Sequence, residues 1–64
     1  MIYKVSYVVL GEKHPGTIRN ETEYPKVGDT VQIDRHTFEI VEVLELIPPR
    51  GDFGYVHVTC RMAQ

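Results

Sequence analysis

The chain has no tryptophan and a single cysteine, Cys60. One cysteine excludes an intrachain disulfide framework, so a fold this small must be held by packing, alone or with self-association. The same usage fits a reducing compartment, and a cytoplasmic location is expected. Positive charge is also scarce, with seven Lys and Arg against nine Asp and Glu for a net charge of −2. No overall positive field therefore draws the chain to nucleic acid or anionic lipid. Long apolar runs are missing too: no stretch approaches the roughly 18 to 20 apolar residues of a membrane-spanning helix, and no membrane partner is expected. Met1 to Leu10 has one Lys, an apolar stretch broken by Ser6 and no small-residue cleavage pattern after it, so it does not read as a signal peptide. Repeats, low-complexity tracts and linkers are absent as well.

What is present is an ordinary globular composition. Of 64 residues, 42% are hydrophobic and 25% charged, which argues against intrinsic disorder. A chain of about 60 residues buries only roughly 60% of the surface it exposes when unfolded, so residues 1–64 are expected to form one domain.

Apolar periodicity points to strands. In "IYKVSYVVL", Tyr3, Val5, Tyr7 and Val9 share one face under a period of two, and Ile2, Lys4, Ser6, Val8 and Leu10 share the other. The first face is expected in the core. Gly11 and the Pro15-Gly16 pair then mark a reversal, glycine supplying the positive φ of a type II turn. Residues 17–24 are mostly polar, with apolar anchors at Ile18 and Tyr24, and fit either a short edge strand or an exposed loop. Further on, Val31 and Ile33 alternate with polar neighbours, and Asp34-Arg35-His36 is short enough to join a hairpin.

The strand after that hairpin changes phase. Phe38 and Ile40 are even-numbered, Val41 and Val43 odd, and Leu44 and Leu46 even again, so a bulge or sharp bend near Ile40-Val41 is needed to turn them toward one core. Ile40, Val43, Leu44 and Ile47 also satisfy helical spacing, with Glu39, Glu42 and Glu45 lying elsewhere. Thr37, Ile40, Val41, Val43 and Ile47 are β-branched, however, and lose χ1 freedom in a helix, which favours the extended reading. Last, "GYVHVTCRM" places Val56, Val58, Cys60 and Met62 on one face and Tyr55, His57, Thr59 and Arg61 on the other.

"VGDTVQI" followed by "FEIVEV", about a third of the chain, resembles the broad SH3-like group of small barrels. The resemblance implies about five bent antiparallel strands and no particular role, because that fold hosts many. The expected fold class is therefore all-β, a small five-stranded antiparallel SH3-like barrel or rolled sheet.

Several motifs invite a functional reading. Arg50-Gly51-Asp52 would indicate integrin binding in an extracellular protein, but it lies between two strands, where Pro49 at the second turn position, Gly51 at the fourth and a capping Asp52 account for it as a bend. His57 and Cys60 are three residues apart, which on a strand puts them on opposite faces and unable to share a metal ion. No metal and no cofactor is expected, and Cys60 reads as a small buried hydrophobe. Glu39, Glu42 and Glu45 read as the solvated side of a strand, and so small a domain has little room for a water-excluding cleft. No enzymatic activity is expected.

Two surfaces remain. Tyr55, His57, Thr59 and Arg61, extended by Lys4 and Ser6 if the first strand pairs with the last, form an aromatic and cationic face of the type that stacks bases. Ile2, Val8 and Leu10 exceed what one small core can absorb and are candidates for self-association through the first strand. The expected function is a non-catalytic binding or assembly module with protein partners, acting as a homo-oligomer. Single-stranded nucleic-acid binding is one alternative, and a small-ligand or enzymatic site formed at a subunit interface is another.

Overall fold

The computed structural model describes residues 1–11 and 16–63. It contains strands β1 (Ile2–Val9), β2 (Thr17–Glu21), β3 (Thr30–Ile33), β4 (His36–Arg50) and β5 (Phe53–Met62). They form one sheet in the order β2-β1-β5-β4-β3, curled into a half-barrel. Residues 37–47 are extended throughout, and no helix among the described residues is long and apolar enough to cross a membrane.

The sheet is mixed, which corrects the expected antiparallel arrangement. β1 runs parallel to β5, whereas β1–β2, β3–β4 and β4–β5 are antiparallel. Alternation along a strand specifies which residues face the core and is the same for either direction of pairing. The parallel neighbours are possible because β2, β3 and β4 intervene, giving the long connection that parallel pairing requires.

The core follows the alternation. Val5, Tyr7 and Val9 of β1 face Val56, Val58 and Cys60 of β5 in register, and Ile33, Phe38 and Ile40 complete the buried set. Tyr3, Tyr24, Val31, Val43 and Met62 pack around it. Gly54 lies on the inner side, where an added Cβ would stand 3.2 Å from the Pro49 Cα and 3.3 Å from the Tyr3 ring, so β4 closes tightly over β5.

β4 is kinked as its changing phase requires. Ile40 opposes Cys60 but Glu42 opposes Thr59, so Val41 is the extra residue of a bulge. A second irregularity between Glu45 and Ile47 leaves Leu46 outside the ladder. The bulges do not turn every apolar residue inward: Val43 reaches the core, while Leu44 and Leu46 remain exposed. Past the β3 contact the ribbon runs beyond the core, and the molecule is elongated, 36 × 18 × 16 Å.

The turns are tighter than the sequence implied. Arg50 pairs with Phe53 across Gly51-Asp52, with Gly51 at φ 62, the glycine-first pattern of a two-residue hairpin. Pro48 and Pro49 therefore lie in β4, and Pro49 is not a turn residue. Arg50-Gly51-Asp52 is a hairpin tip, and the Asp52 carbonyl accepts a hydrogen bond from the Ile2 N–H at 2.9 Å. Likewise Ile33 pairs with His36 across Asp34-Arg35, with Asp34 at φ 57, a conformation Asp tolerates better than most residues. Residues 17–21 are an edge strand and 22–24 are not. Ile18 is exposed and anchors nothing in the core, whereas Tyr24 packs edge-to-face on Tyr3 at 5.3 Å between ring centroids. His14 and Pro15 lie outside the described residues.

Candidate functional site

The pairing of β1 with β5 assembles one continuous outer face. Lys4 lies beside Tyr55, Ser6 beside His57 and Val8 beside Thr59. Across β5 the rows continue into β4, with Ile47 beside Tyr55, Leu44 beside His57 and Glu42 beside Thr59. Across β1 they continue into β2, with Asn20 beside Lys4 and Ile18 beside Ser6. The expected binding face and the expected self-association residues are thus one surface.

That surface is largely apolar. Ile2, Val8 and Leu10 are 48%, 45% and 54% exposed, so the core does leave them out. Ile18, Leu44, Ile47 and Phe53 are exposed beside them. Sequence reading missed these four, assigning Ile18 and Leu44 to the interior. For Leu44 the available signal was phase, since it follows the bulge that reverses β4; for Ile18 phase misled, because the charged Arg19 and Glu21 that alternate with it are the ones that point inward.

β1 is not a sheet edge, however. It lies between β2 and β5, so self-association through β1 cannot proceed by edge pairing and would use the face instead.

The polar groups of the face bond to one another. Ser6 Oγ and His57 Nδ1 are 2.8 Å apart. The Thr59 hydroxyl donates to Glu42 at 3.4 Å. Arg61 donates through Nε and Nη2 to one Glu39 oxygen at 3.0 and 2.8 Å. Its guanidinium is therefore neutralised locally, and two carboxylates border the strip. His57 points outward and Cys60 inward, on opposite faces as expected. Burial pushes the Cys60 thiol above its ordinary pKa, and its Sγ lies 3.5 Å from the Val8 carbonyl, the setting of an inert core cysteine.

A second feature opens on the inner side, between the facing edges of β2 and β3. It is a cleft of about 300 Å³ whose lining includes Tyr7, Arg19, Glu21, Glu23, Asp29 and Gln32. The Tyr7 hydroxyl donates to Glu21 at 2.9 Å, and the Arg19 guanidinium sits 5.7 Å from the Tyr7 ring centroid and 3.5 Å from the Glu21 carboxylate. Burial above all, then the hydrogen bond to Glu21 and its charge, hold the Tyr7 phenol well above its ordinary pKa. Arg19 also reaches across to β3, donating to the Gln32 carbonyl at 2.7 Å. Comparison with known protein families, curated proteins and solved structures gives no match. The functional reading therefore rests on the geometry of these two surfaces.

Proposed function

We propose that this chain is a non-catalytic binding and assembly module of the cytosol that uses the outer face of its sheet to contact protein, in the first place a second copy of itself. The observation that carries this reading is the exposure of Ile2, Val8, Ile18, Leu44, Ile47 and Phe53 on one face of a sheet whose other face already closes the core. Apolar surface gathered in this way marks interaction sites. Tyr55 and Arg61, residue types common among interface anchors, lie within it. We read the half-barrel as a variant of the SH3-like group, its β3–β4 hairpin being the segment that carries the resemblance.

Nucleic acid is the weaker alternative, because Arg61 is already paired with Glu39 and Glu42 lies alongside. A ligand or enzymatic site between subunits would follow only from the assembly itself.

Light scattering coupled to size exclusion tests the proposal. A mass above the 7.4 kDa monomer is expected at micromolar concentration, falling to monomer in Leu10→Glu and in Val8→Glu/Leu44→Glu. These side chains are exposed, so the variants should keep the wild-type fold by circular dichroism. A monomeric wild type at high micromolar concentration overturns self-assembly.

A further inference from the structure

We propose that the seam between β2 and β3 accepts one extended peptide strand carrying a lysine or arginine, which closes the half-barrel by pairing with both edges.

The backbone directions follow from the ladder. The N–H groups of Ile2 and Leu10 donate to Asp52 and Cys60, so the even-numbered residues of β1 turn their backbone groups toward β5. The odd-numbered residues Tyr3, Val5 and Tyr7 then bond to Glu21, Arg19 and Thr17. On β2 this leaves the backbone groups of Ile18 and Asn20 directed away from β1, into the seam. On β3, Ile33 and His36 close a two-residue turn and form a hydrogen-bonded pair, so alternation directs the backbone groups of Gln32 and Thr30 away from β4. The Gln32 carbonyl does face the seam, since Arg19 reaches it from the opposite edge. No strand among the described residues pairs with either edge. A single arginine side chain spans the gap, occupying an acceptor that an added strand would use.

The cleft behind the seam selects the side chain. Its lining holds three carboxylates, Glu21, Glu23 and Asp29, against one guanidinium, Arg19. Glu21 is engaged by Tyr7 and Arg19, whereas Glu23 and Asp29 have no side-chain partner among the described residues. A strand alternates its side chains, so one inward residue of an inserted peptide enters the cleft beside these carboxylates and the Tyr7 and Tyr24 rings. A cation fits that lining by charge and by ring contact.

This inference is independent of the outer-face proposal, and the test separates them. The probe is the peptide acetyl-Thr-Val-Thr-Lys-Thr-Val-Thr-amide, compared with its Lys→Glu counterpart at up to about 1 mM, a concentration that detects even weak binding. Amide shifts and slowed hydrogen exchange are expected at Ile18, Asn20, Thr30 and Gln32. The Lys peptide should bind at least about tenfold more tightly than the Glu peptide, and Glu23→Lys/Asp29→Lys, both at exposed positions, should reverse that preference. The monomeric Val8→Glu/Leu44→Glu protein should bind the peptide as wild type does. Absence of change at those four amides, shifts confined to the outer face around Leu44 and His57, or equal affinity for both peptides overturns the inference.

Discussion

Tyr7 shows how one side chain can serve the core and a polar cleft together. Its ring is buried at 4% exposure, and its hydroxyl reaches the rim to meet Glu21. Tyr7→Phe should cost about 0.5–1.5 kcal/mol at neutral pH, the net worth of one hydrogen bond, read from the urea midpoint. The pH dependence has a definite sign. The folded-state pKa of Tyr7 lies above the ordinary 10.0, so its contribution is complete below that pH and is lost as pH rises toward the raised value. Wild-type stability should therefore fall more steeply than that of Tyr7→Phe above pH 10. The raised Cys60 thiol adds an alkaline loss common to both proteins, which cancels in the comparison. Parallel curves would show that the phenol is not held in its neutral form. At this scale the core was legible in the sequence: Tyr7 belongs to an odd-numbered apolar series on an eight-residue strand. Its link to Glu21 was not, because no periodic signal relates two positions 14 residues apart.

Among the elements, β4 carries the architecture. Its bulge at Val41 lets Ile40 and Val43 both face inward while Glu42 lies outside beside Thr59. Deleting Val41 would place Glu42 directly after Ile40, still outward and opposite Thr59, so every side chain keeps its face and only the bend that curls the sheet is lost. That variant is expected to keep a dispersed amide spectrum but to unfold at lower urea than wild type, because a straightened β4 curls less well over the core. An unchanged urea midpoint would show that the curl of the sheet is set elsewhere. The need for this kink was visible in the alternating parity of Phe38, Ile40, Val41, Val43 and Leu44. Where the strand went afterwards was not, since a bulge reverses faces and a second irregularity at Leu46 reverses them again. β2 was similarly ambiguous because its charged residues Arg19 and Glu21 point inward, the inverse of the usual pattern.

For the whole molecule, the contest is between an apolar face that excludes water and a cationic face that meets phosphate. Arg61 is the only arginine or lysine on the outward side of β5, and Glu39 holds it at 2.8 Å. Single-stranded oligonucleotide is therefore expected to bind no more tightly than about millimolar even at low salt, where electrostatic binding is strongest, as read by fluorescence anisotropy. Affinity in the micromolar range that falls steeply with salt and is lost in Tyr55→Ala/Arg61→Ala would replace the protein-binding reading with the nucleic-acid one.

The amino-acid sequence by itself determined the all-β class, the places where the chain reverses before β4 and before β5, the inward residues of β1 and β5, and the kink in β4, because each depends on neighbours a few positions apart. The tertiary structure alone decided that β1 lies parallel to β5 and between two strands, which merges the polar strip and the apolar surplus into one face. It alone also brought the edges of β2 and β3 within one arginine side chain of each other. The reason is that alternation is blind to direction and partner: the same inward set is buried whichever way the neighbouring strand runs, and only closing the core chooses among the pairings.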